Sequence, residues 1–483
     1  MRKIVFLTLL APFFLLAQSP GAFTATGSMT TPRASHTATL LTNGKVLIAG
    51  GFPGCQPLSG STGCLQPTPP PNLASAELYD PSTRTFTPIG NMITARAGHS
   101  AVLLADGRVL VVGGNQTAPS AELYDPSTGV FSATGNLTMA SVGQATLLPN
   151  GSVLLLGSPA ASLYDPATGI FTDAGAYASP NIDSLNPGAS LPDGRVLIGC
   201  DCRFDVGAPS VELYDPSSGT FSLAPAATSS NVGWWVDQNT VTLLINGTVL
   251  VVGSDEYSFP ADAELYDPST GTLIGLGRAN ASHEYSAAAL LPDGTVLIAG
   301  SQLAGGAADS SAELYHPDSG IFSTIKPMGT PRFSQTATLL GDGEVLMAGG
   351  YSPYPGATSS AELYTPAVLV AAPALFSLSG DGTGAGAIWH AATGQIASAD
   401  NPATAGEALS MYTTSLGSGG VIPPQIAAGG KLAKVLYFGD APGYPGYNQV
   451  NFALPTGVTP GSAIPVRLTY LGRSSNAVTI GVR

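Results

Sequence analysis

Short apolar runs separated by turn residues organise most of this chain. Runs such as Thr37 to Leu41 and Lys45 to Ala49 flank an Asn-Gly or Asp-Gly pair, and the arrangement recurs. The pairs are Asn43-Gly44, Asp106-Gly107, Asn150-Gly151, Asp193-Gly194, Asn246-Gly247, Asp293-Gly294 and Asp342-Gly343. Between two such runs, this pair predicts a β-hairpin with a type I′ turn, whose positive φ angles Asn, Asp and Gly tolerate. A second segment follows each hairpin, of the form Glu-Leu-Tyr-Asp-Pro-x-Ser/Thr-Gly-x-Phe. Its tyrosines are Tyr79, Tyr124, Tyr164, Tyr214, Tyr266, Tyr315 and Tyr364, 40 to 52 residues apart. Asp-Pro followed by Ser/Thr-Gly is turn chemistry again and joins a third strand to a fourth.

Four short antiparallel strands per unit, seven times over, predict an all-β fold, a seven-bladed β-propeller. Each sheet alone leaves both faces exposed, so neighbours must pack around an axis. The last unit ends at Leu363-Tyr364-Thr365-Pro366 without a fourth strand of its own. A spare strand, Phe23-Thr24-Ala25-Thr26, stands before the first hairpin and, with Gly27-Ser28-Met29, resembles Phe86 to Met92. It is expected to complete the seventh blade and lock the ring.

The repeats, over residues 22–370, resemble kelch repeats. The Gly doublet ending the second strand stands as Gly50-Gly51, Gly113-Gly114 and Gly349-Gly350, and decays to Gly157-Ser158, Gly199-Cys200, Gly253-Ser254 and Gly300-Ser301. The fourth-strand aromatic is Phe86, Phe131, Phe171, Phe221 and Phe322, with Leu273 in one blade. Residues 373–483 break the period. Alternating apolar positions in Leu432 to Phe438 and Ile464 to Leu471 predict a small Ig-like β-sandwich there. Asn401-Pro402-Ala403 with Gly406, and Pro445 to Phe452, resemble a C-terminal module of secreted acidobacterial proteins, which implies export.

Composition narrows the picture. Gly (60) and Pro (40) argue against long helices, and 44% hydrophobic residues suffice for a core. A net charge of -14 argues against nucleic acid, whose phosphates require clustered Lys and Arg. Arg2 and Lys3, then the apolar run Ile4 to Leu16 and the small Ala17, predict a signal peptide over residues 1–17 and hence a secreted or cell-surface bacterial protein. No segment reaches the ~20 apolar residues of a membrane span.

Function is expected on the propeller face carrying the connections from second to third strands and between blades, because those loops vary while the opposite turns are stereotyped. They hold Trp234, Trp235, Asp237, Asp255, Glu256, Tyr257, Phe259, Glu284, Tyr285, Tyr351 and Tyr354. Aromatic rings can stack on sugars and the carboxylates can accept hydroxyl hydrogen bonds, or the Trp pair can pack beneath its own loop. In an exported chain Cys55 and Cys64 are expected to form a disulfide. Cys200-Asp201-Cys202 fits a strained disulfide, free thiols or, against the lack of a nearby His, a metal site.

A propeller followed by a sandwich is also similar to the galactose oxidase architecture. That resemblance implies copper held by a cysteine-crosslinked Tyr, a Tyr-His pair and a His from the C-terminal domain. Tyr285 stands where the crosslinked Tyr would be, but Gln238 occupies the Cys position and no first strand begins Tyr-His. His390 is the C-terminal domain's sole histidine. One residue further along, His36, His99, Gly143, Asn186, Asn239, Ser286 and Gln335 are expected either to line the channel mouth or to satisfy backbone groups between blades. The resulting expectation is a secreted, non-catalytic propeller, without cofactor or metal, that binds an extracellular carbohydrate or protein ligand through its variable loops. The alternative is an extracellular carbohydrate-active enzyme, either galactose oxidase-like or a hydrolase built on paired carboxylates.

Overall fold

The structure is a computed structural model. It describes residues 21–54, 71–114, 120–137, 139, 141–158, 160–178, 188–198, 212–224, 240–253, 261–303, 306–352, 356–416 and 421–483. Among the described residues there is no α-helix. Seven four-stranded antiparallel sheets form the blades of a propeller. Blade 1 runs Thr37–Leu40, Val46–Ala49, Ala76–Asp80 and Thr85–Pro88, and the first strands of blades 2, 5 and 6 are Ser100–Leu103, Thr240–Leu243 and Ala287–Leu290. Blade 7 takes Thr336–Leu339, Val345–Ala348 and Ala361–Thr365 from one end of the chain and Ala22–Ala25 from the other. First strands of neighbouring blades lie side by side around the axis, closing the ring.

The repeated tyrosine explains how the blades hold together. All seven are buried. Tyr79 pairs across the ladder with Phe86, their ring centroids 4.7 Å apart, and the same tilted contact recurs at Tyr124–Phe131, Tyr164–Phe171, Tyr214–Phe221 and Tyr315–Phe322. Such a pair contributes ~0.5–1.5 kcal/mol beyond its buried area. The tyrosine also reaches the preceding blade: Tyr79 Oη lies 2.9 Å from Thr26 Oγ1, and Tyr164 Oη 2.8 Å from Thr134 Oγ1. At the seam, Phe23 faces Tyr364 at 5.0 Å, so the N-terminal strand supplies the aromatic that blade 7 would otherwise lack.

The hairpins correct one expectation. Only the glycine of each pair has positive φ, from 83° at Gly44 to 96° at Gly343, and the preceding Asn or Asp does not. Leu41 N–H donates to Lys45 O and Gly44 N–H to Leu41 O, which makes a three-residue loop rather than a two-residue type I′ turn. The reason lies in the side chain. Asn43 Oδ1 accepts the Lys45 N–H at 3.1 Å and Asp106 Oδ1 the Arg108 N–H at 3.0 Å, a bond available with the residue in its ordinary conformation.

Residues 388–482 form one curled sheet of eight strands whose inner face encloses a core around Leu409, Phe452, Leu468 and Ile480, consistent with a β-sandwich. This domain sits on the hairpin-turn side of the propeller: Val421 N–H donates to Ile245 O, Ala372 N–H to Gly341 O, and Gly430 packs on Asp106.

Candidate functional site

On the opposite face, a buried ion pair holds the loops that enter blades 1, 2 and 7. Arg33 Nη1 donates to Gly50 O (2.7 Å) and Ser75 O (3.0 Å), and Nη2 to Glu77 Oε1 (2.9 Å). The same carboxylate accepts the N–H groups of Thr30 and Thr31. Arg96 with Glu122 and Arg332 with Glu362 repeat the set. Burial pulls the Arg33 and Arg332 guanidinium pKa values down, and the facing glutamates work against it. In blade 6, His283 Nε2 replaces the arginine, 3.0 Å from Glu313. Burial alone would raise the Glu313 pKa, but hydrogen bonds from His283 and Asn280 outweigh it and leave the group below its usual value. Blade 5 has no such partner among the described residues. Glu264 Oε1 is buried and unbonded, and desolvation, helped by Asp262, pushes its pKa up to about 8.

Two residues beyond each arginine, and beyond His283, the chain turns into the left-handed region at the channel mouth. Ser35 (φ 52°), Gly98 (61°), Tyr285 (53°) and Ser334 (52°) occupy equivalent positions. They form a relay of backbone hydrogen bonds: Gly98 N–H to Ser35 O, Ser35 N–H to Ser334 O, and Ser334 N–H to Tyr285 O. A bulky aromatic in this conformation is rare, and such strain concentrates at functional sites. Beside the relay lies a cavity of about 480 Å³ lined by Ser35, Tyr285, Gln302, Gly306, Phe333, Ser334 and Tyr351. Ring contacts run along it from Tyr285 to Phe333 (6.1 Å), to Tyr351 (5.2 Å) and to Phe52 (6.3 Å). Phe333 is buried, whereas Tyr285 and Tyr351 are half-buried. Short bridges, Phe333 with Tyr351 and Tyr351 with Ala357, fix the loop carrying the outer ring.

Of the residues expected at a site, Tyr285 and Tyr351 meet at this cavity. Glu284 adjoins it in sequence but is buried, and its backbone carbonyl accepts the Gln302 N–H at 2.9 Å. Trp234, Trp235, Asp237, Asp255, Glu256, Tyr257, Phe259 and Tyr354 lie outside the described residues, as do Cys55, Cys64, Cys200 and Cys202. Phe333, Gln302, Ser35 and Ser334 escaped the sequence reading. Their signal is positional, since Ser35 and Ser334 stand at the repeat position of Tyr285.

The polar residues one step further along turn between blades. His36 Nε2 lies 3.2 Å from Thr336 Oγ1, His99 Nε2 lies 2.8 Å from Thr37 Oγ1, and Gln335 Nε2 donates to Ala299 O at 2.6 Å. Burial, with the nearby arginines, lowers both imidazole pKa values to about 3. Asn186 and Asn239 lie outside the described residues.

Comparison with solved structures finds a fungal alcohol oxidase of the AA5 family, in complex with copper. It matches at a TM-score of 0.59 and 15% identity, over 96% of this chain and 100% of that one. The architecture is thus galactose oxidase-like, and at this identity the likeness is one of fold. No family model matches the chain, and no curated protein matches it.

Among the described residues, the donors do not fit a copper–tyrosyl centre. Beside Tyr285, the equivalent described positions hold Ser35, Gly98 and Ser334, and the second phenol at the cavity, Tyr351, comes from another loop and is followed by Ser352 rather than a histidine. The two histidines that follow them are engaged between blades. His390 has both ring nitrogens bonded, to Glu407 and to Asn401 O, inside the C-terminal domain. Among the described residues no three His, Cys, Asp or Glu side chains gather as a metal site.

Proposed function

We infer that this is an exported, non-catalytic propeller that binds an extracellular carbohydrate on its variable-loop face. The observation that carries this reading is the row of rings at the channel-mouth cavity, which Gln302, Ser35 and Ser334 also line. Sugar rings present apolar C–H faces to aromatics and hydroxyls to such polar groups, and the volume suits a mono- or disaccharide unit. Export rests on the leader-like residues 1–17. A protein ligand on the same face is the variant of this reading that retains the site and changes the partner.

The test is a glycan and polysaccharide binding screen of the chain lacking residues 1–17, run beside Tyr351→Ala. Binding that weakens tenfold or more in the variant supports the reading. A folded wild-type protein that binds no glycan overturns it. An oxidase assay with copper supplied addresses the activity named for the structural neighbour, and stoichiometric copper with turnover would sink the non-catalytic assignment.

A further inference from the structure

The far end of the channel holds a second chamber. A cavity of about 540 Å³ lies between the inner strands of blades 7, 1 and 2 and the C-terminal sheet. In the strand Gly461–Tyr470, Val466, Leu468 and Tyr470 are buried in that domain's own core. Alternation therefore turns Pro465, Arg467 and Thr469 toward the propeller, where they line the chamber.

Among the described residues, Arg467 is the only basic side chain on the chamber wall. Its Nε is shielded from solvent and makes no hydrogen bond. The one acid described on the wall, Asp106, is committed to Arg108, with Oδ2 2.7 Å from Nη2. Burial lowers the Arg467 pKa, and no described carboxylate opposes it. A cation placed in a partly desolvated space without a counter-charge is costly, so the chamber is complementary to an anion. The rest of the wall is not that of a simple ion site. Thr39, Thr338 and Gln425 add polar residues to the wall, and alanine and leucine side chains of the inner strands supply an apolar surface.

We propose that this chamber is a binding site for a small organic carboxylate, clamped by the Arg467 guanidinium with its carbon body against the inner strands. A planar carboxylate matches the two parallel N–H donors of a guanidinium, and the volume falls within the range of small-molecule pockets. The site lies on the opposite side of the ring from the aromatic row and does not depend on its ligand.

Calorimetric titration of the full chain with succinate, benzoate and inorganic phosphate, at ionic strength matched with chloride, tests this. Saturable one-site binding of at least one carboxylate is expected, weakened tenfold or more by Arg467→Gln and partly restored by Arg467→Lys. Thr39→Val gives a second reading that keeps the cation, with a severalfold loss expected. Absence of saturable binding by either carboxylate, equal affinity in Arg467→Gln, or phosphate binding as tightly as the carboxylates would each overturn the proposal.

Discussion

Arg332 Nη2 and Glu362 Oε1 lie 2.9 Å apart, with both side chains almost wholly removed from water. The same guanidinium donates to the carbonyl of Gly349, the first member of a Gly doublet. This links two sequence features: the doublets persist at Gly50-Gly51, Gly113-Gly114 and Gly349-Gly350, the blades that carry Arg33, Arg96 and Arg332. A Cβ on Gly51 would sit 2.8 Å from Ala34 O, and one on Gly350 would sit 2.7 Å from Phe333 O. Removing the cation alone leaves a buried carboxylate, so Arg332→Met should cost about 3–5 kcal/mol in urea unfolding. The double variant Arg332→Met/Glu362→Leu should recover much of that loss, and a double variant as unstable as the single one would refute this account.

Glu264 makes the opposite pH prediction from an ordinary surface acid. Its pKa rises from 4.5 in the unfolded chain to about 8 in the fold. The folded state therefore holds more protons between those values, and its stability is full below pH 4.5 and lost as pH climbs toward 8. Glu264→Gln should melt a few degrees higher than the parent protein at pH 9 and at nearly the same temperature at pH 4. Parallel melting curves across that range would exclude the effect.

His36 and His99 act at the acid end. Their folded pKa values of about 3 lie below the usual 6.5. Between these limits the unfolded chain binds the extra protons, so stability is present above pH 6.5 and falls as pH drops toward 3. Each fully expressed shift is worth roughly 1.4 kcal/mol per pH unit at most. The pair His36→Gln/His99→Gln, chosen to match Gln335 at the equivalent place in blade 7, should flatten the acid limb of a stability–pH curve. An unchanged slope would mean the imidazoles are not the titrating groups.

Ring closure has its own test. Phe23 is buried against Tyr364, and a Cβ on Gly21 would sit 2.1 Å from the Tyr364 hydroxyl. Phe23→Ala should destabilise the propeller by about 3–5 kcal/mol, as for other buried aromatics. Gly21→Val should also destabilise it by displacing the tyrosine. Both effects are readable as lowered urea midpoints, and wild-type midpoints would show that the seam bears no strain.

The blade count and the N-terminal strand in blade 7 were legible because each leaves a periodic mark in residue type, while the contact between the repeated Tyr and Phe emerges only in the fold. The hairpin geometry was not, since Asn43-Gly44 serves two turn types and only the Asn43 side-chain bond to Lys45 selects between them. The Arg33–Glu77, Arg96–Glu122 and Arg332–Glu362 pairs stand 44, 26 and 30 residues apart, with no local signature of contact. At the site, Tyr285 and Tyr351 stood out as aromatics in variable loops. Ser35 and Ser334 did not, because their role lies in backbone conformation. Glu284 looked like a surface carboxylate, and only packing against the following strands shows it buried.

The strand Ala22–Ala25 pairs with Ala361–Thr365, nearly the full length of the propeller away in sequence. This strand must therefore stay unpaired until the last blade is made. Its partner edge is exposed for that interval, open to any other extended segment. Such late, distant pairing is slow. An open strand edge is a template for pairing with other chains, so closing the circle also removes an aggregation hazard.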